Sequence, residues 1–246
     1  MADHHPPRPP RRPWHATTAL DAFAITTWVL DPERLERALP AGFTAERFRV
    51  GGDEVALASV VSFLDRDFRF RGAPFVRLSG GQVNHRCYVR RHGVPGVWFV
   101  GTTLDHPLVR VARLAWSMPW HRERVRIDAT WAEGRGSSMA VDVDGGWGAL
   151  TIRLDGMLPP SRPSDGLWPA TVTDPVHGWY RRRDGGVGRY SVWHPPLRGR
   201  LQPMAVRVAR SQPFEDLGLV PLGQEAIAAA VVPTTTFDVH TPPRRC

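Results

Sequence analysis

The sequence predicts a mainly β (α+β) protein, with a predominantly antiparallel sheet that is closed or nearly closed. The chain contains many apolar runs of strand length but only two or three segments with helical periodicity. Strands and helices do not alternate regularly, which argues against a doubly wound parallel sheet. The 246 residues are 42% hydrophobic and 23% charged, which suits one soluble domain with its own core.

The two ends of the chain differ from the rest in composition. Residues 1–15 are rich in His, Pro and Arg, which predicts a disordered leader of extended, polyproline character. Residues 16–240 are predicted to form a single domain, and residues 241–246 a short tail.

Two helices are predicted from their termini. Asp31 is suited to cap a helix that Pro32 opens and that ends at Leu39, before Pro40 and Gly42. A second helix follows Asp105 and closes at Pro119. Its apolar residues share the spacing of one helical face: Leu108, Val111, Ala112, Ala115 and Trp116.

Strands account for most of the remaining chain. The apolar runs predict strands at about 55–64, 82–90, 97–104, 124–131, 137–143, 148–154, 187–193, 203–210 and 229–239. The segment 92–96 reads as the turn between two of them. Residues 155–170 are rich in Pro and Gly, which predicts a loop, and residues 224–230 are compatible with either a helix or a strand.

All 32 basic residues are arginine, and the chain contains no lysine. Lysine is the side chain that forms Schiff bases with carbonyl substrates, whereas arginine keeps its proton and cannot attack as an amine. The net charge of +8 is concentrated at the two ends and in the run 181–183, and no nucleic-acid-binding motif occurs. We therefore expect no nucleic-acid partner, and no chemistry based on a lysine Schiff base.

The remaining motifs exclude several other classes of protein. Cys87 and Cys246 are the only cysteines, which is typical of a reduced, cytoplasmic setting. The sequence has no signal-peptide core and no apolar run of 18 residues, so we expect no membrane association. The histidines lack metal-ligand spacing, and no phosphate loop or nucleophile elbow is present. The sequence thus predicts neither a metal nor a cofactor.

The strand at 82–90 carries the most informative pattern. Side chains alternate between the two faces of a strand, so Val83, His85, Cys87 and Val89 share an apolar face. Gln82, Asn84, Arg86 and Tyr88 share the opposite face, and all four can form hydrogen bonds. This polar face is either solvated or the wall of an internal cavity whose ligand or water supplies the missing partners.

Three segments of the chain resemble the acetoacetate decarboxylase-like superfamily, and in particular its branch of unknown function. They are LSGGQVNHRCYV (78–89), GVWFVGTTLD (96–105) and ARLAWSMPWHRERV (112–125). The likeness extends more weakly over residues 20–242. It implies a cone-shaped antiparallel β-barrel around a cavity, with helices packed outside.

The chain departs from the superfamily where the decarboxylases do their chemistry. Alignment on Pro119 puts Trp120 and His121 where the decarboxylases have two lysines, one of which forms the Schiff base. Gln82 stands where they have an assisting carboxylate, and an amide cannot transfer that proton. The resemblance together with these replacements predicts a decarboxylase-type barrel that is not a lysine-dependent decarboxylase.

The resemblance and the polar strand together define a candidate site. Arg86 is predicted to bind a carboxylate or enolate, His121 to act as acid or base, and Tyr88 to donate to a carbonyl. Gln82, Asn84, Trp120 and His194 are the predicted substrate-binding residues, His194 being a second acid or base candidate. Four of these residues also have a purely structural interpretation. Arg86 would form an ion pair, His121 would cap a helix, Trp120 would pack in the core and His194 would end a strand.

Two functions are compatible with this site. The first is a cofactor-independent lyase, isomerase or cyclase that acts on a small carbonyl-bearing molecule, as in specialised metabolism. The second is a non-catalytic small-molecule binding protein on the same barrel. The sequence names neither the substrate nor the reaction, and it leaves a homo-oligomer open.

Overall fold

The computed structural model describes residues 7–107, 109–157, 170–197 and 199–246. The strands in these ranges are Ala16–Leu30 (β1), Phe43–Ala45 (β2), Phe48–Val50 (β3), Asp53–Phe70 (β4), Leu78–Arg91 (β5), Val94–Leu104 (β6), Trp120–Arg122 (β7), Arg124–Ala132 (β8), Arg135–Asp144 (β9), Leu150–Met157 (β10), His177–Arg181 (β11), Val187–Trp193 (β12), Gln202–Ser211 (β13) and Ala228–Arg245 (β14). The helices are Pro32–Ala38 (α1), Val109–Ala115 (α2), Ala170–Thr173 (α3) and Gln212–Asp216 (α4).

Seven of the described strands close into a barrel. Their order is β1, β4, β5, β6, β11, β12 and β14, and β14 pairs with β1 to complete the ring. All neighbours in the ring are antiparallel except β6 and β11, which run parallel. Closure satisfies the backbone hydrogen bonds that would otherwise face outward at two free edges. The predicted antiparallel barrel is confirmed.

A second sheet layer covers one side of the barrel. Strands β13, β10, β9 and β8 continue from β14 in that order and fold back over the barrel wall. Trp28 of β1 and Cys87 of β5 belong to the same buried cluster as Val125, Val141 and Ile152 of the outer layer. This apolar cluster therefore lies between the two layers, outside the barrel lumen.

The predicted elements agree with the structure in different degrees. Asp31 caps α1 as expected, because its Oδ1 accepts the backbone N–H groups of Glu33 at 2.8 Å and Arg34 at 3.1 Å. The predicted apolar face of α2 is wrong at Val111 and Ala115, which are both exposed. Residue 108 lies outside the described residues.

Other differences concern the two ends of the chain and the segment 224–230. The long strand β1 was not predicted, and the predicted tail at 241–246 continues β14 as far as Arg245. The predicted leader contacts the outside of the barrel, where Arg8 and Arg11 bind the Asp238 carboxylate. The segment 224–230 is not helical, and β14 begins within it. Most of the predicted loop at 155–170 lies outside the described residues.

His85 is an unusual member of the core between the layers. Its side chain is 1% exposed and is wedged against the rings of Trp147 and Phe214, at 5.0 and 5.2 Å between centroids. Neither ring nitrogen has a hydrogen-bond partner within the described part of the chain. Burial, followed by the nearby His121, lowers the pKa of His85 to about 3.

This depressed pKa predicts acid-sensitive stability. The unfolded chain binds a proton at His85 below pH 6.5, whereas the folded protein binds it only near pH 3, so stability falls as the pH drops between these values. We therefore expect the free energy of unfolding of His85→Leu to rise relative to that of the wild type, by about 1.4 kcal/mol for each unit that the pH falls within that window. Urea unfolding between pH 7 and 4 measures the difference.

A matched control is His92→Asn, at an exposed turn position with φ of 49° that asparagine tolerates. This variant also removes one imidazole, but from an exposed position, and it controls for the general effect of losing a histidine. A stability gap between His85→Leu and the wild type that stays constant with pH would contradict the assignment.

Candidate functional site

The barrel encloses a cavity of about 130 Å³, enough for several waters or one small organic molecule. Most of its walls are apolar: Leu20, Phe23, Val61, Phe63, Phe68, Phe99, Trp116, Met118, Trp120, Val192, Phe237 and Val239. The side chains that can form hydrogen bonds are Thr18, Asp65, Gln82, Asn84, Arg86, Thr173, Tyr190, His194 and Thr241. A few polar groups in an apolar enclosure are typical of small-molecule sites.

Strand β5 supplies the polar wall. Gln82, Asn84 and Arg86 alternate into the lumen, where all three line the cavity, while Val83 and Cys87 point into the core between the layers. The Gln82 amide donates to Asn84 Oδ1 at 3.0 Å, and the Thr102 hydroxyl donates to the same oxygen at 2.9 Å. The two amides of this wall are therefore held in fixed orientations.

Arg86 is a buried cation to which the described residues supply no anion. Its side chain is 8% exposed, and its Nη2 donates to the Val172 carbonyl at 3.0 Å and to the Tyr88 hydroxyl at 3.2 Å. Among the described residues no carboxylate forms an ion pair with it, and its Nε has no hydrogen-bond partner. The structural reading of Arg86, an ion pair in the core, is absent from this part of the chain.

Tyr88 lies deeper in the barrel than the cavity lining. Its hydroxyl donates to Ser59 Oγ at 2.8 Å, and Ser59 Oγ lies 2.8 Å from Thr27 Oγ1. The aromatic ring sits under the Arg86 guanidinium at 5.4 Å. Tyr88 is thus placed to position Arg86, and it does not itself line the cavity.

Asp65 is a carboxylate in the cavity wall that the sequence reasoning missed. It lies on β4, and the Thr18 hydroxyl donates to its Oδ1 at 2.9 Å. Burial raises the pKa of Asp65 to about 6, although the hydrogen bond from Thr18 opposes that rise. Such a carboxylate exchanges protons near neutral pH. Asp65 was overlooked because the predicted strand ended at residue 64; alternation with Val61 and Phe63 would have placed it inward.

His194 lines the cavity with its ring held from three sides. The ring stacks on Phe237 at 4.3 Å between centroids, and Nδ1 lies 2.9 Å from the Pro195 carbonyl and 3.7 Å from Asp174 Oδ1. Because a carbonyl only accepts, Nδ1 carries a proton, and the neutral ring has its lone pair on Nε2. This orientation suits an acid or base, and the reading of a simple strand end does not account for it.

Tyr190 is a second cavity residue that the sequence reasoning did not single out. Its ring packs on Phe99 at 5.1 Å between centroids. Burial raises the pKa of its phenol, and the charge of Arg86 opposes that rise. A phenol that keeps its proton can donate a hydrogen bond to a ligand oxygen.

The structure places His121 away from the cavity, so its predicted role there is wrong. The segment 120–122 is strand β7, which pairs with β6, and successive strand residues point to opposite sides. Trp120 faces the cavity, and His121 instead stacks on Trp147 at 4.3 Å between centroids. Because side chains alternate along a strand, only one of Trp120 and His121 can face the lumen.

Other reactive groups contribute little here. Burial raises the pKa of the Cys87 thiol to about 12, which makes it a poor nucleophile. The described residues contain no cluster of three or more side chains that could hold a metal ion. Within the same residues, no helix is long and apolar enough to cross a membrane.

The chain belongs to the DUF2071 family, described as "Uncharacterized conserved protein", whose profile matches residues 17–235. None of the curated proteins matches the sequence significantly.

Several solved structures share the fold. An acetoacetate decarboxylase-like enzyme from Sphingomonas wittichii superposes with a TM-score of 0.65 at 11% identity, over 100% of this chain and 98% of that one. The acetoacetate decarboxylase of Legionella pneumophila gives 0.62 at 11% identity, over 99% and 93%. The enduracididine biosynthesis enzyme MppR, complexed with pyruvate, gives 0.63 at 12% identity, over 96% and 91%. These likenesses confirm the predicted acetoacetate decarboxylase-like fold.

The hydroxyl network beneath Arg86 can be tested by stability measurements. Tyr88→Phe removes a hydroxyl that bridges Arg86 and Ser59, so each of these buried groups loses one of its hydrogen bonds and keeps another, to the Val172 carbonyl and to Thr27 respectively. We expect a loss of about 1–3 kcal/mol in the free energy of unfolding. In a double-mutant cycle with Ser59→Ala, the two losses should fall short of additivity by about 0.5 kcal/mol or more. Fully additive losses would show that the hydroxyls act independently.

Proposed function

We propose that this protein is a small-molecule enzyme that binds a carboxylate-bearing carbonyl compound in the barrel cavity. On this proposal Arg86 holds the carboxylate, and Asp65 and His194 transfer protons, without a Schiff base. A cavity of about 130 Å³ limits the substrate to a small molecule.

The observation that carries the proposal is the buried charge of Arg86, which no carboxylate of the described residues compensates. Burying an ion without a counter-ion costs several kcal/mol, and carbonyl and phenol oxygens offset that cost only in part. A carboxylate matches the planar fork of a guanidinium and would supply the missing charge. The buried Arg86 therefore favours an anionic ligand over a neutral one.

The acid and base groups favour chemistry at the carbon next to a carbonyl. The Asp65 carboxylate would take a proton from that carbon, and the C–H electron pair would become the C=C bond of an enolate. Tyr190 would donate a hydrogen bond to the enolate oxygen, where the negative charge collects, and His194 would donate to it from Nε2 once that nitrogen has taken up a proton. The proton would then return to another atom, as in an isomerase, or a leaving group would depart, as in a lyase. MppR, which shares the fold, has been captured with pyruvate, and this supports a 2-oxo acid as the first substrate class to test.

A second candidate function is a binding protein that has lost catalysis. It is favoured by Gln82, which stands where the decarboxylases have an acid, and by Trp120, which stands where they have a lysine. Both functions use Arg86 in the same way, and only the enzyme needs Asp65.

We expect the Arg86 side chain to lower the stability of the ligand-free protein. We also expect an anionic ligand to stabilise the protein only when Arg86 is present. We expect Arg86→Met to unfold at a temperature at least as high as the ligand-free wild type, because it removes a buried charge that no carboxylate of the described residues pairs with. Pyruvate should raise the melting temperature of the wild type and leave that of Arg86→Met unchanged. Arg126→Gln, an exposed change of the same charge, should respond like the wild type. Equal stabilisation of all three proteins by pyruvate would exclude Arg86 as the anion site.

Asp65 should control proton exchange. In D₂O, we expect the wild type to exchange the methyl protons of pyruvate, at a rate that rises with pH through about 6 as Asp65 ionises. Asp65→Asn should lose roughly a hundredfold or more of this rate, the usual contribution of a general base, and His121→Gln should keep it. Proton NMR measures the rate. Pyruvate binding without exchange in the wild type would favour the binding protein, and an unchanged rate in Asp65→Asn would exclude Asp65 as the base.

A further inference from the structure

A second concavity lies outside the barrel, beneath the N-terminal segment. We refer to it as the leader crevice. It measures about 680 Å³, and its lining combines leader residues with residues of β12 and β14: Pro9, Pro10, Arg12, Trp14, His15, Arg189, Tyr190, Ser191, His240, Thr241, Pro242 and Arg244. Tyr190 and Thr241 also line the barrel cavity, so the two spaces share a wall.

The leader that forms this crevice is fastened to the barrel. Arg8 and Arg11 donate through Nε to the Asp238 carboxylate at 2.6 and 3.0 Å, and Asp238 is 3% exposed. Arg8 also covers the Trp193 ring at 4.7 Å. The charge of Asp238, a carboxylate close to the crevice, is therefore already matched by the leader.

The crevice itself is lined by basic groups and by no carboxylate of the described residues. Arg12, Arg189 and Arg244 form no ion pair and donate no side-chain hydrogen bond within that part of the chain. Two histidines stand beside them, with ring centroids 4.8 Å apart. Three guanidinium groups with unused donors are thus gathered around one space.

The pKa values of the two histidines are lowered mainly by burial, and Asp238 opposes the shift of both. Burial, followed by the charge of Arg12, lowers the pKa of His15. Burial, followed by the charge of His15, lowers the pKa of His240. His240 Nδ1 lies 3.2 Å from Ser191 Oγ, and its Nε2 is buried without a partner among the described residues.

We propose that the leader crevice binds a small polyanion through the guanidinium groups of Arg12, Arg189 and Arg244. Guanidinium forks match phosphate and carboxylate oxygens with paired N–H donors. The Trp14 ring and the prolines give the crevice an apolar side, which suits a small molecule that carries both charged and apolar parts. Nucleic acid is less suited, because the fastened leader limits the space to that of a small ligand. This site is separate from the function proposed for the barrel cavity.

Calorimetric titration with two probes, inorganic pyrophosphate and citrate, tests the site and separates phosphate from carboxylate recognition. We expect saturable binding of at least one probe to the wild type at 0.15 M salt. The double variant Arg189→Gln and Arg244→Gln should weaken that binding by tenfold or more. Arg86→Met, altered only in the barrel cavity, should bind the probe normally, so failure here and failure of the proposed barrel function are distinguishable.

The matched control carries the same loss of charge far from the crevice, at the exposed residues Arg126 and Arg135 of the outer layer. It should bind the probe like the wild type. The proposal is overturned if neither probe binds saturably, or if the control loses as much affinity as the crevice variant. A single-stranded oligonucleotide is a further probe. The proposal would also be overturned if the oligonucleotide bound more tightly and its binding depended equally on both pairs of arginines, because that result would indicate a general basic surface.

Discussion

The alternation of side chains along β5 decides what each of two compartments contains. This strand is a wall between the barrel lumen and the core under the outer sheet, so every second residue enters each space. Val83 and Cys87 enter a dry core, and Gln82 and Arg86 enter the cavity. A shift of one residue in register would bury the polar groups in the core and put the apolar ones into the cavity. Barrel closure, which fixes the neighbours of β5 on both sides, is therefore what makes a site here.

Hydrogen bonds with the surrounding residues hold the buried Arg86 side chain in place. The Tyr88 hydroxyl and the Val172 carbonyl accept from one end of the guanidinium, and Ser59 in turn holds Tyr88. These contacts orient the side chain and leave its charge without a counter-ion among the described residues. His85 is the opposite case on the same strand, because burial keeps its imidazole neutral and no partner orients it. The first arrangement is suited to bind an ion, and the second can only pack.

The sequence allowed the barrel and part of the cavity wall to be predicted, for one physical reason. Strand alternation is local, so the inward set on β5 could be read from the chain itself. His121 failed because its segment was taken as the end of a helix, where neighbours can share a direction, whereas it is a strand paired with β6. Asp65 was missed because pairing extends β4 past the apolar run that predicted it. Pairing partners are set by the tertiary fold, and a single sequence does not contain them.

The apolar cavity wall at Trp120 bears on both the absence of a lysine at this position and the raised pKa of Asp65. Trp120 occupies the position at which the decarboxylases have a lysine, and an indole there excludes water and brings no charge. A lysine beside Arg86 would add a like charge that competes for the ligand anion, and beside Asp65 it would lower the pKa of the carboxyl through an ion pair. With Trp120 in its place, Asp65 remains desolvated and its pKa rises to about 6. On the proposed function, Trp120 at this position would preserve a carboxylate basic enough to take a proton from carbon and would leave the Arg86 charge for a substrate.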